Sequence, residues 1–440
     1  MTGCAASADN LRRMFSLERL RLDNGLRVVL APDRNAAAVS VAVYYDVGFR
    51  SEPEGRTGFA HLFEHLMFEG SASLEKMEHA RLVQGNGGTF NGSTNSDYTR
   101  YFETLPSNAL ELGLFLEADR MRAVRLSEET LENQIGVVKE EIRVNVLNRP
   151  YGGFPWIQLP QVMFKTFNNA HNGYGSFEDL ESATVDDAAE FFRQYYAPGN
   201  AVLAVVGDFD VDGAGALVEK HFASIPTGVV PRVGDFAEPP PEGEVRAELV
   251  DKQAPTPALA IGYRVPDPVD ELDEYLATVV LAAVLAGGGE AARLHQRLVK
   301  IDRTVSHISG YVGTFGNPFE VRDPTMLQIV AYLQTDDVDR VLSSIDAEVS
   351  ALVDDLLPDE VDRVAQAMRS GYLADVDEFT ERAMFIAVLE QQRSVPELVN
   401  DLPERAAAVT APAVRRAAER WLLPGNRAVL ELQPGAGGRS

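Results

Sequence analysis

Two histidines four residues apart, with a glutamate directly before the second, stand in the stretch FAHLFEHLMFEG, Phe59 to Gly70. On a helix turning about 100° per residue, His61, Glu64, His65 and Phe68 fall in one sector. Phe59, Leu62, Phe63, Leu66 and Met67 fill the opposite side. Side chains four apart on a helix have Cβ atoms roughly 5–6 Å apart, so the two imidazoles can hold one ion. Glu64 lies beside them, placed to act as a base rather than a ligand. A pair of histidines on a polar helix face is ordinarily only solvated. Here the chain has seven histidines in 440 residues, and the full pattern would arise by chance on the order of one time in a hundred.

Two imidazoles do not complete a zinc site, which normally takes three protein ligands and leaves a position for water. The single cysteine, Cys4, leaves His, Asp and Glu as the available donors. The next marked helix is SEETLENQIGVVKEEIRVNVL, residues 127–147. Ser127 can cap it, and Glu128 and Glu129 suit the positive end of its dipole. Its apolar stripe is Leu131, Ile135, Val138, Ile142 and Val146. Glu140 points away from that stripe, whereas Glu141 lies at its edge. Geometry therefore favours Glu141 as the third ligand.

The elements that must position these residues repeat. FFRQYYAPGNAVLAVVGD (Phe191 to Asp208) and RRAAERWLLPGNRAVLEL (Arg415 to Leu432) share one design: an amphipathic helix, then Pro-Gly-Asn, then a strand. In the first half LRLDNGLRVVL reads as a hairpin, because Asn24-Gly25 suits a tight turn, and AVSVAVYYDVG follows as a strand. PALAIGYRVPD takes the corresponding place in the second half. PTGVVPRVGDFAEPPPEGE, Pro226 to Glu244, is Pro- and Gly-rich without a period and suits a linker. The expected fold is α+β: two duplicated domains, each a mainly antiparallel sheet packed with helices, enclosing a peptide chamber. Expected boundaries are a flexible N-terminus at 1–16, a metal-binding domain at 17–225, a linker at 226–246 and a homologous domain without metal at 247–440.

Hydrophobic residues make up 45% of the chain and charged residues 24%, a balance typical of a folded, soluble protein. No apolar run reaches the roughly 18 residues of a membrane span. A net charge of −26 argues against nucleic acid, whose phosphates need a basic surface. The start MTGCAASADN has no secretory apolar stretch, so the expected location is cytoplasmic. TGC does resemble the cleavage end of a lipoprotein signal. A start further upstream would instead imply the cell envelope, with a lipid anchor at Cys4.

These residues resemble the pitrilysin family of inverse zincin metallopeptidases, in particular the branch of about 50 kDa subunits that includes mitochondrial processing peptidase and paired bacterial zinc peptidases. The carriers are HLFEH, GNGGTFNGSTNSDYTRYFETLP, NQIGVVKEEIRVNVLNRPYG, GSFEDLESAT and YYAPGNAVLAVVGDFD. HLFEH is the family's reversed zinc motif, and Glu141 has the spacing of its third ligand. The resemblance implies zinc-dependent hydrolysis of peptides. Zinc on His61, His65 and Glu141 would acidify a water and polarise the scissile carbonyl, and Glu64 would act as general base.

In family members the segment matching GGTFNGSTNSDYTRYFETL pairs with the peptide as an added strand. Gly88, Thr89, Phe90 and Asn91 thereby become candidate substrate contacts, the plainer reading being a routine sheet strand. The second half carries TVVLAAVLAGGG, Thr278 to Gly289, where the first has its zinc helix, and offers no ligand. Lys300 and Ser306 stand where complete members carry an Arg and a Tyr that reach the substrate. Lys lacks the planar fork of Arg, and Ser lacks the reach of Tyr. A zinc-free homologous subunit supplying that pair is therefore the expected partner, in a heterodimer. Competing readings are a non-catalytic scaffold or peptide-binding subunit, and a dedicated leader-peptide or presequence peptidase. His79, His171, His221, His295 and His307 lack ligand spacing and are expected in surface or core packing.

Overall fold

The computed structural model describes residues 14–228, 230–231, 234–314 and 317–435. Cys4, the candidate lipid attachment point, lies outside the described residues, as do three positions of the Pro/Gly-rich linker.

Two compact units divide the chain, and each is discontinuous in sequence. The first takes residues 1–136, 175–234 and 372–403, the second 137–174, 235–371 and 404–440.

The first unit holds a six-stranded sheet of β1 (Glu18–Arg21), β2 (Arg27–Pro32), β3 (Ala38–Tyr45), β4 (Thr89–Thr94), β5 (Thr99–Pro106) and β6 (Ala201–Gly207), in the order β1-β2-β6-β3-β5-β4. β2 and β6 run parallel and the other neighbours antiparallel. The β1–β2 hairpin turns at Asn24-Gly25, where Gly25 has φ 92°, a conformation that glycine adopts without Cβ strain. β3 is buried from Val39 to Tyr45, which needs cover on both faces because successive side chains point oppositely. Ser40 meets Thr380 of the helix Phe379–Arg393 on one face. On the other face Val41 abuts Gly113 of the helix Leu110–Arg122, where an added Cβ would lie 3.2 Å from Val41 Cγ2.

The second unit holds a five-stranded sheet of β7 (Val245–Asp251), β8 (Ala258–Arg264), β9 (Val305–Val312), β10 (Met326–Leu333) and β11 (Arg427–Pro434), in the order β7-β11-β8-β10-β9. Its one parallel pair is β7 with β11. Strand for strand this matches β2-β6-β3-β5-β4, so the duplication read from the sequence is present in topology. The two Pro-Gly-Asn turns also match in detail. Asn200 Nδ2 donates to Tyr195 O at 2.9 Å and to Asp46 O at 3.3 Å. Asn426 Nδ2 donates to Trp421 O at 2.7 Å and to Arg264 O at 3.0 Å. In each case the amide joins the end of a helix to the strand beside it, satisfying an orphan helix carbonyl.

A short helix, Gln158–Met163, covers the second sheet and seats Leu159 among Phe154, Phe164, Ala260, Met326 and Leu430. The apolar stretch that offers no ligand forms the buried helix Leu272–Ala286. No helix among the described residues is long and apolar enough to cross a membrane.

Candidate metal centre

HLFEH lies on the helix Phe59–Leu66. Gly58 precedes it at φ 84° with no side chain to cap the first turn. The cap comes instead from Glu52, a fully buried carboxylate that accepts from Gly58 N at 2.9 Å and Ala60 N at 2.8 Å. A negative charge is favourable at this end of the helix dipole. The helix buries Phe59, Ala60, Leu62, Phe63 and Leu66, with Phe63 against Phe191 and Tyr196 at ring separations of 5.0 and 5.2 Å. His61, Glu64 and His65 remain half-buried on the far side. Phe68, two positions past the last helical residue, stays on the Glu64 side: a Cβ on Gly92 would lie 3.2 Å from both Glu64 Cγ and Phe68 Cε2. Its ring turns onto His79, Phe90 and Tyr101.

The helix Glu128–Ile142 begins as expected, with Ser127 Oγ accepting from Thr130 N at 3.1 Å. It then widens into a π turn, Arg143–Leu147, a distortion often found beside functional sites. Gln134 Nε2 donates to Glu69 Oε1 at 2.8 Å, tying this helix to the residues just after the histidine helix. Glu141 follows Gln134 by seven positions, about two turns, and so shares its face. Glu140 is exposed and pairs with Arg143 at 3.1 Å. Glu141 is half-buried and accepts a hydrogen bond from the Tyr174 hydroxyl at 3.0 Å. Asn145 Nδ2 in turn donates to Tyr174 Oη at 3.4 Å.

His61 Nε2 and His65 Nε2 are 3.4 Å apart, their rings nearly perpendicular at 87°. Two nitrogens bound at about 2.0–2.1 Å to one tetrahedral ion would be separated by about 3.3–3.4 Å. One ligand atom from each of His61, His65 and Glu141 lies within 4.8 Å of the others. The donor set, two imidazoles and a carboxylate, suits zinc with an open position. Among the described residues this is the one cluster of such donors. Glu64 is held separately: Thr94 Oγ1, at the end of β4, donates to its Oε2 at 2.8 Å. A Cβ on Gly92 would lie 3.2 Å from Glu64 Cγ, so that glycine leaves the space the glutamate occupies.

Among the described residues β4 is the sheet edge, bonded only to β5. Thr89 and Asn91 are exposed along it, while Phe90 packs between Phe68 and His79. Gly88 faces inward, where a Cβ would come 2.6 Å from Thr104 O. Its lack of a side chain is required by β5. In the second unit Lys300 Nζ pairs with Glu290 at 2.8 Å, and Ser306 Oγ donates to Tyr332 O at 3.0 Å.

Beneath Phe68 and Tyr101 lies a buried charge cluster. Arg120 stacks under Tyr101 at 4.4 Å and pairs with Glu117. Burial would raise the Glu117 pKa, but the Arg120 guanidinium overrides it and holds the carboxyl below its usual range. Burial, and then the Glu117 charge, drive the Glu103 pKa well above that range. The sequence reading missed Thr94, Gly92, Tyr174 and Glu52. Thr94 and Gly92 lay inside the flagged strand, but nothing in the sequence pairs them with Glu64.

Residues 27–151 match the family model described as Insulinase (Peptidase family M16), and residues 182–368 match that of the Peptidase M16 inactive domain. The chain belongs to the M16 (pitrilysin) peptidase family. Zinc protease PqqE of Helicobacter pylori is 29% identical over 398 residues, covering 87% of this M16 chain and 82% of that protein. Uncharacterized zinc protease Mb2805c of Mycobacterium bovis is 30% identical over 284 residues, 64% of this chain and 63% of its own. The crystal structure of a protease from Helicobacter pylori superposes with a TM-score of 0.87 at 25% identity, covering 96% of this chain and 100% of that one.

Proposed function

We propose that this M16 chain is a zinc-dependent endopeptidase acting on peptides or unfolded segments. The observation that carries the reading is the convergence of His61, His65 and Glu141 within 4.8 Å, with a separately held carboxylate beside them. Zinc, when bound, supplies an acidified water and an electrophile for the scissile carbonyl. Glu64 takes the proton of the attacking water and passes it to the leaving amine. Thr94 keeps Glu64 in position through the 2.8 Å hydrogen bond, and Tyr174 orients Glu141. The exposed edge of β4 receives the peptide as an added strand, with the outward backbone of Phe90 and Gly92 free of β5 and the exposed Thr89 and Asn91 side chains beside it. Gly88 serves the close packing of β4 onto β5.

The chain is the active subunit of a heterodimer in this reading. Lys300 and Ser306 are engaged with Glu290 and the Tyr332 carbonyl, and a zinc-free homologue supplies the Arg and Tyr they replace. Glu64→Gln tests the core of the proposal: zinc content and fold persist while peptide hydrolysis is lost. Undiminished turnover in that variant overturns it, and a wild-type chain that binds no zinc points to the scaffold reading.

A further inference from the structure

A cavity of about 530 Å³ opens among Asn145, Arg149, Tyr151, Trp156, Tyr174 and Tyr332, within the size range of small-ligand pockets. Two aromatic pairs frame it. Tyr151 meets Tyr332 edge-on at 4.9 Å and 81°, and Trp156 meets Tyr174 at 5.5 Å and 59°. Among the described residues no carboxylate lines it, and the one cation there is Arg149, which is exposed.

The cavity is firmly built. Tyr151 has φ 58°, a left-handed conformation costly for a side chain of this size. It is pinned there at both ends: its N–H donates to Asp251 Oδ2 at 2.8 Å, and its hydroxyl donates to Thr256 O at 2.8 Å. The next residue can only be glycine, because a Cβ on Gly152 would come 1.7 Å from Val146 O. Strain held in this way, immediately after the π turn that follows Glu141, marks a shape maintained for use. The link to the metal-binding carboxylate is direct. Tyr174 is at once a wall of the cavity and the donor to Glu141, and Asn145, another wall, bonds to Tyr174.

We propose that this cavity is a specificity pocket that takes a large aromatic side chain of the peptide substrate. The ring faces and edges in its lining suit a further ring in offset or T-shaped contact, and the Arg149 guanidinium can cover it. A basic side chain would find no counter-charge there and would meet Arg149. An acidic one would gain only an exposed ion pair, which is weak, while leaving the aromatic walls unused. The proposal rests on the endopeptidase reading for its context, but its occupancy is measurable without turnover.

The chain has two tryptophans, so Trp156 is the sole indole reporter in a Glu64→Gln, Trp421→Phe background. A peptide set placing Phe, Ala, Glu or Arg at each position in turn is titrated against that variant by fluorescence, and its cleavage by the zinc-loaded wild type is followed in parallel. At one position Phe is expected to tighten binding at least about tenfold over Ala, Glu and Arg while changing Trp156 emission. The same preference should appear in kcat/KM, and Arg149→Ala and Trp156→Leu should each reduce it severalfold. Arg149 is exposed, so its variant is expected to fold even if Trp156→Leu does not. Preference for Glu or Arg, no aromatic preference at any position, or a preference untouched by Arg149→Ala and Trp156→Leu overturns the pocket. Aromatic-dependent emission changes without hydrolysis leave the pocket standing and defeat the peptidase reading. Hydrolysis without aromatic selectivity does the reverse.

Discussion

Thr94 and Glu64, thirty residues apart, meet through a 2.8 Å hydrogen bond that runs from the strand hydroxyl to the helix carboxylate. In the proposed role of general base Glu64 must be held within hydrogen-bond reach of the proton it removes, and this contact restricts the carboxylate to one arc. Thr94→Val keeps the shape and removes the donor. Its expected effect is a fall in kcat of about tenfold or more, with zinc content unchanged. Thr94→Ser should restore most of the rate. Equal rates for Val and Ser would show that the hydroxyl does not position the base.

Gly92 acts on the same carboxylate by leaving room. Alanine there would place a methyl 3.2 Å from Glu64 Cγ, Phe68 Cε2 and Tyr101 Cδ1, a tight but not impossible fit. Gly92→Ala should therefore cost severalfold in kcat. Gly92→Val, which forces a larger displacement, should approach about 100-fold, the effect of misplacing a reacting group by about 1 Å. Zinc stoichiometry measured beside the rates separates this from loss of the metal. A valine variant with wild-type kcat would refute it.

Local features of this site were legible in the sequence because they repeat or sit close together. HLFEH places its three polar groups by helical period alone, and the wheel distinguished Glu141 from Glu140, which is exposed. Asn24-Gly25 and the two Pro-Gly-Asn turns carried their geometry in a few residues. What escaped was the long-range part. Glu52 caps a helix across a loop, Tyr174 reaches Glu141 from 33 positions away, and helix Phe379–Arg393 covers β3 from the far end of the chain. Such contacts leave no periodic trace, since each depends on where the fold returns the chain.

Tyr174→Phe isolates the support of the proposed third ligand. The ring and the cavity wall remain, and only the 3.0 Å hydrogen bond to Glu141 Oε1 is lost. Removing a partner of a metal-binding carboxylate typically weakens affinity by about 10- to 100-fold. Competition against a chelator of known zinc affinity measures this directly. Unchanged affinity would mean that Glu141 is oriented without the phenol, or is not a ligand.

His79 makes the fold sensitive to acid independently of the metal. It is buried, its Nε2 has no hydrogen-bond partner among the described residues, and its ring packs on Phe68 and Phe90. Burial, and next the Arg120 charge, hold its pKa down at about 3, with Glu117 opposing. The folded state thus binds its proton less readily than the unfolded chain, whose histidine titrates near 6.5. Stability from the neutral ring is complete above about pH 6.5 and is lost as pH falls toward about 3, by as much as ~4 kcal/mol at the acid end. His79→Phe keeps an aromatic ring and removes the titration. Denaturant midpoints of the metal-free proteins should coincide near pH 8 and diverge below pH 6, with the phenylalanine variant the more stable. Curves that stay parallel down to pH 4 would show that another group, such as a protonating carboxylate of the Glu103–Glu117–Arg120 cluster, governs the acid limb.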